Sequence, residues 1–178
     1  MEHPYVLFDA EGKADLLERI QSDPESREIM KRLQAEADLF LIEPVNPEIP
    51  ASPTHVRAGW TELDRDNAYG KKIRRYRHVA QKLAFVYQMT GEAAYAQKAF
   101  EFAEVVCRMP SWTLQAHEFD IIYSRVWPWN VNDDQTNFNF DLGNATTGQI
   151  LAWVYDWTFP ALDKRQRDRL RGALLEKA

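Results

Sequence analysis

A chain of 178 residues, 45% of them hydrophobic and 12% aromatic, is long enough to bury one substantial core. Its formal net charge of −5 argues against a general nucleic-acid binder, whose surface is basic overall. The single cysteine, Cys107, excludes an intrachain disulfide and any zinc site of cysteine spacing, and its neighbours Val105, Val106 and Met109 make it a buried structural thiol.

The opening "MEHPYVLFDAEGK" has no basic stretch followed by a long apolar run. The chain is therefore read as cytoplasmic if this start is native, and as periplasmic or secreted if a signal has been removed. No run of about eighteen apolar residues is present, so no membrane partner is expected. Asp9 is placed to cap a first short helix that carries Leu16, Leu17 and Ile20 on one face. Asp23-Pro24 supplies a cap and a first-turn proline for a longer helix, with Ile29, Met30, Leu33, Ala37, Phe40 and Leu41 at helical spacing.

Prolines at 44, 47, 50 and 53 then recur every three residues. This period favours an extended polyproline conformation, read as a rigid crossing between helices rather than a Pro-rich peptide ligand. Beyond it, Tyr76, Val79, Ala80, Leu83, Ala84 and Tyr87 share one helical face, and Gly91 stops the helix. A second helix with Tyr95, Ala99, Phe102, Ala103 and Val106 in register follows at once, which makes an antiparallel hairpin. A further pair closes the sequence. Ile150, Trp153, Val154 and Trp157 line its first helix, "FPAL" turns the chain, and Asp163 with Gln166 forms a capping box for a last helix whose inner face is Leu170, Ala173 and Leu174.

No strand-like alternation competes, so the sequence predicts an all-α chain of antiparallel helical hairpins in one structural domain. Its parts are N-terminal helices over 1–42, a Pro-rich crossing over 43–70, and hairpins over 71–178 interrupted by an aromatic, Asn-rich loop at 111–141. Loops of that length often line a site.

Two motifs reinforce each other: "YRHVAQKLAFVYQMTGEAAYAQKAFEFAEVV", and "GQILAWVYDWTFPALDKRQRDRLRGALLEKA" after it. Following the opening "HPYVLFDAEGKADLLERIQSDP", they resemble in order the N-terminal part of the heparinase II/III-like polysaccharide lyases and the related oligoalginate lyases. "HPYVLF" is similar to that family's His-Pro-apolar opening, and "VYDW" with "LDKRQRDRL" to its Tyr-Asp-Trp element and the charged helix after it. The resemblance spans essentially the whole chain. It implies part of an incomplete α/α toroid, normally followed by a β-sandwich region, in a protein that cleaves uronic-acid-containing polysaccharides by β-elimination. In such lyases a Tyr or His removes a proton beside the uronate carboxylate while Asn, His or Arg neutralises it, and charge develops on an enolate-like intermediate. Residues 1–178 contain no match for the family's catalytic Asn/His and Tyr elements. Catalysis is expected of a parent chain, and no catalytic residue is assigned.

Within these residues the resemblance implies scaffold and a share of a substrate cleft, where the loops joining the hairpins gather. Trp127 and Trp129 are candidates to stack on pyranose faces, Arg125 to pair with a uronate or sulfate, and Asn139 and Asn144 to hydrogen-bond hydroxyls or a carboxylate. Both tryptophans also fit a plainer role as core cover beside Pro128. The run Gly143, Ala145, Thr146, Thr147 and Gly148 allows close approach of a helix or a ligand. The basic run "KKIRRYRH" opens the Tyr76 helix, on which Lys71, Arg74, Arg75, His78 and Lys82 fall opposite the apolar stripe, as a solvated outer face does, with Lys71 and Lys72 at its start expected to meet an acidic substrate.

His117, Glu118 and Asp120 lack a metal-ligand spacing, and Asp133-Asp134 lacks the ligand order of a calcium loop, so neither metal nor cofactor is expected. Asp156 is expected to hold a neighbouring loop or helix end by hydrogen bonds. Two other readings stay open. One is a non-catalytic helical-repeat or carbohydrate-binding module, and the other an α/α-toroid glycoside hydrolase using carboxylates among Asp120, Asp133, Asp141 and Asp156. The last helix pattern runs to Ala178 without Gly, Pro or cap, which suggests a longer parent chain and apolar faces prone to self-association.

Overall fold

A computed structural model describes residues 3–50, 68–110, 112 and 142–178, and among them the chain is all-α. Six helices follow in order: α1 Ala10–Ser22, α2 Pro24–Ile42, α3 Ala68–Thr90, α4 Ala93–Arg108, α5 Leu142–Thr158 and α6 Lys164–Lys177, with a short 3-10 turn at Phe159–Ala161 before α6. Three of the starts, those of α1, α2 and α6, have a local cause. The Asp9 carboxylate accepts the Gly12 N–H at 3.0 Å, Asp23 accepts that of Ser26 at 2.8 Å, and Asp163 with Gln166 forms the reciprocal capping box at α6. Gly91 ends α3 with φ of +75°, a conformation that glycine adopts without strain, and its N–H bonds the Tyr87 carbonyl at 2.7 Å.

Hydrogen bonds between helices fix their relative directions. Arg77 of α3 reaches Gly143 and Thr147 of α5, and Gln88, three turns later, reaches the Trp157 carbonyl, so α3 and α5 run the same way. Gln97 bonds Gln166, and the Cys107 carbonyl accepts from Lys177, so α4 and α6 are likewise parallel. The hairpins α3/α4 and α5/α6 therefore stack side by side with the same polarity. On the other flank α2 lies antiparallel to α3, with Glu36 on Lys82 and Glu43 on Arg75. α1 links the two flanks: Phe8 just before it stacks on Trp157, and Leu16 and Ile20 meet Phe85 of α3 and Met30 of α2 around an open apolar cavity of about 240 Å³.

The core is the shared interior of these layers. Leu83, Phe102, Val106, Trp112, Leu151, Val154 and Leu170 are fully enclosed. Trp157 joins its parts: Trp153 stacks on it at 5.8 Å, Phe8 at 5.5 Å, and Phe85 meets it edge-on at 5.9 Å. α3 is central and buries residues around most of its circumference, which explains why its polar Gln88 and Arg77 are directed inward to hydrogen-bond partners on α5. The small residues at the start of α5 serve helix packing at Gly148, where a Cβ would come within 2.9 Å of Ala178.

Candidate functional site

The two ends of the bundle differ in chemistry. One end holds the tight links of both hairpins, at Gly91 and at Phe159–Ala161. Here the beginning of the chain is fastened. Asp156, in the last turns of α5 and only 1% exposed, accepts His3 Nδ1 at 2.6 Å through one oxygen, and the Tyr5 and Val6 backbone N–H groups at 3.0 and 2.9 Å through the other. His3 stacks on Phe159 at 3.9 Å and meets Tyr155 edge-on, while the Trp157 indole N–H donates to the Val6 carbonyl at 3.2 Å. Leu7 turns the chain with φ of +75° between Val6 and Phe8, its own side chain lying in solvent. Asp156 thus holds a chain segment, as its place in "YDW" suggested. The "HPYVLF" and "VYDW" motifs form a single contact.

The opposite end gathers the start of α3, the end of α4, the start of α5 and the end of α6. The connections 51–67 and 113–141 are attached here, and both lie outside the described residues. It is rich in cations. Lys72 of α3 donates to the Glu48 carbonyl and lies 5.0 Å over the Tyr76 ring, and burial with the Arg108 charge holds its ammonium below the usual lysine range against the opposing pull of Glu48. Lys71 is exposed beside it. Lys177 donates to the Cys107 carbonyl at 2.7 Å, which places a cation at the negative end of the α4 dipole. Deeper, Arg77 is buried and its guanidinium donates to Thr147 Oγ1 at 2.7 Å and the Gly143 carbonyl at 3.2 Å. Burial first, then the Arg77 charge, hold the neighbouring His78 imidazole below its ordinary range.

Of the residues singled out from sequence, Asn144 is described: it is buried in the first turn of α5, next to the Gly143 carbonyl that Arg77 engages. Arg125, Trp127, Trp129 and Asn139 lie outside the described residues, as do His117, Glu118, Asp120, Asp133, Asp134 and Asp141. The outer-face reading of the basic run needs adjustment. Arg75 and Lys82 turn toward α2, where Glu43 and Glu36 neutralise them, because α2 packs beside that flank. Arg77, absent from the sequence-stripe assignment, is the cation that faces inward. The signal was present in its spacing, one turn after Ile73 and one before Ala80, both buried. Among the described residues no three His, Cys, Asp or Glu side chains gather as a metal site requires, and no helix is long and apolar enough to cross a membrane. No protein-family model matches the chain, and no curated protein is significantly similar to it.

Proposed function

We propose that this chain is the N-terminal toroid portion of a polysaccharide lyase acting on uronic-acid-containing acidic polysaccharides, to which it contributes scaffold and part of the substrate cleft. The observation that carries this reading is the junction between the opening His-Pro segment and the Tyr-Asp-Trp helix. Two motifs separated by about 150 residues, each similar to the same family, meet through three hydrogen bonds to Asp156. Two hairpins stacked with the same polarity support a toroid segment, because hairpins added in that manner form one layer of inner and one of outer helices. The cation-rich end, with Lys71, Lys72 and Arg108 around the starts of α3 and α5, supports a cleft for a polymer that carries carboxylates.

The test is direct binding. Uronate oligosaccharides of four to six sugars, drawn from alginate and from glycosaminoglycans, are titrated calorimetrically into the protein beside neutral oligosaccharides of equal length. The expected result is binding of at least one uronate series that weakens with salt, with no heat from the neutral sugars. In Lys71→Glu/Lys72→Glu that binding is lost. Unchanged affinity of this variant for every uronate oligosaccharide sinks the cleft assignment, and binding of neutral sugars in preference to uronates points instead to a hydrolase or a neutral-sugar module.

A further inference from the structure

The first two helices do not close fully on the third. No residue of α1 is completely buried, and its apolar stripe of Leu16, Leu17 and Ile20 is only half covered. Ion pairs of Glu36 with Lys82 and Glu43 with Arg75 hold the second half of α2 to α3. Beside the first half lies the open cavity of about 240 Å³, walled by Leu16 and Ile20 of α1, Ile29, Met30 and Leu33 of α2, and Phe85 of α3. Ile29 keeps 44% of its surface exposed, and Leu16, Ile20, Leu33 and Phe85 are half-buried. Apolar side chains of three helices thus converge without filling the space between them. The Phe85 wall is firm, because Trp157 of the core meets its ring edge-on at 5.9 Å.

An apolar cavity of about 150 Å³ is enough to take up benzene, and it stays dry because a water needs two to four polar partners. The space beneath α1 therefore has room for an aromatic ring with a short substituent or a second fused ring. Its polar rim is already compensated. The Ser26 hydroxyl donates to the Asp23 carboxylate at 2.5 Å, and the Arg19 charge acts on the same carboxylate. Hydrogen bonds from Ser26 first, with Arg19 adding a smaller pull, hold the Asp23 carboxyl below the usual range. A charged ligand would meet this balanced group and gain little, and a sugar would bury hydroxyls against apolar walls. The Phe85 ring and the Met30 thioether favour an aromatic face over a plain alkyl chain.

We propose that the cavity between α1, α2 and α3 is a binding site for a small uncharged aromatic molecule, which rests on Phe85 and Met30 and is enclosed by Leu16 and Ile20 of α1. The site is independent of the lyase reading and shares no residue with the cation-rich end. Its occupant fills the gap beneath α1 and so fastens the first helix to the bundle, a stabilisation that grows with ligand concentration.

The experiment titrates indole and p-cresol into the full chain, with benzoate and benzylamine as charged probes of similar size, and follows both heat and the midpoint of thermal unfolding. Each neutral probe binds as a single molecule and, at about ten times its dissociation constant, raises the midpoint by roughly 3–5 °C. The charged probes bind roughly tenfold more weakly. Ile29→Trp and Leu33→Trp put an indole of the protein's own into the cavity, keep the helix content, and lower the affinity for free indole by roughly tenfold. Ile29 stands at the open side, where the larger side chain is accommodated even if Leu33→Trp does not fold. Absence of binding by either neutral probe up to its solubility limit overturns the site, and so does equal indole affinity in the wild type and Ile29→Trp. Benzoate held as tightly as indole, and released by Arg19→Gln, overturns the uncharged class. N-acetyltryptophanamide bound roughly tenfold more tightly than indole replaces the free molecule with an aromatic side chain of a partner protein.

Discussion

Replacing Asp156 with alanine removes the acceptor of three hydrogen bonds at once: His3 Nδ1 at 2.6 Å and the Tyr5 and Val6 N–H groups at 3.0 and 2.9 Å. Bonds to an ionised acceptor contribute about 1.5–3 kcal/mol each, so the gross loss is at least ~4 kcal/mol if the three donors stay in place. They need not stay. The opening segment can leave the bundle and return its N–H groups to water, at the cost of the Phe8 stack on Trp157 and the indole bond to the Val6 carbonyl. The smaller of the two penalties sets the result, and we expect Asp156→Ala to lower the unfolding free energy by about 2–4 kcal/mol. Asp156→Asn, which keeps one acceptor and loses the charge, should cost about half of that. Urea denaturation gives the global figure, and amide exchange at Tyr5 and Val6, with the emission of Trp157, reports whether the segment has come away. A change in stability below about 0.5 kcal/mol, with exchange at those two amides unaltered, would refute the view that Asp156 fastens the beginning of the chain.

Three further outcomes are expected. Leu83→Ala, in the fully enclosed face of α3, should destabilise by about 3 kcal/mol in chemical denaturation, the usual size for emptying a core leucine site. Leu7→Gly should stabilise by about 1 kcal/mol, because Leu7 holds φ at +75° while 70% of its side chain is exposed, so the substitution relieves backbone strain at little loss of burial. Burial pushes the Cys107 thiol from 9.0 up to about 12, so between those pH values the unfolded chain loses a proton that the folded one retains. Stability therefore falls as pH rises through that window, by up to about 1.4 kcal/mol per pH unit from this group. Burial also raises Tyr87 and Tyr95, which add the same sign above pH 10.0. The Cys107→Ala variant should lose the slope just above pH 9 while keeping the later one, and the native wild type should resist thiol alkylation near pH 8.

The helices were legible because their signals are local. Asp9, Asp23 and Asp163 each announce a start within three residues, and each caps as its sequence context requires. Pro24 opens α2 and Gly91 closes α3 for equally short-range reasons. Stripe reading found the buried face of α3 at Val79, Ala80 and Leu83 but set Lys71, Arg74, Arg75, His78 and Lys82 outward and left Arg77 unassigned. It therefore missed that Arg77 is enclosed, since a guanidinium needs only a few carbonyl and hydroxyl acceptors to enter a core, and those come from α5, 66 and 70 residues away. The fastening of His3 to Asp156 has no periodicity at all, and Asp156 signalled a holding role without naming its partner. For the candidate cleft, Asn144 proved to be buried beside the Arg77 contacts, while the tryptophan and arginine candidates depend on residues 113–141 and so on geometry outside the described elements.

The bond between His3 and Asp156 spans 153 positions of sequence, and this has a consequence for synthesis on the ribosome. His3 and its neighbours have no partner until α5 has been made, a delay of roughly ten to thirty seconds at ordinary elongation rates. In that interval Phe8 is presented to the surroundings without the Trp157 ring that later covers it. Residues 3–8 are thus made well before they can reach their final place. Chaperones that recognise short apolar segments near the exit tunnel would meet the segment around Phe8, and release it when residue 156 becomes available.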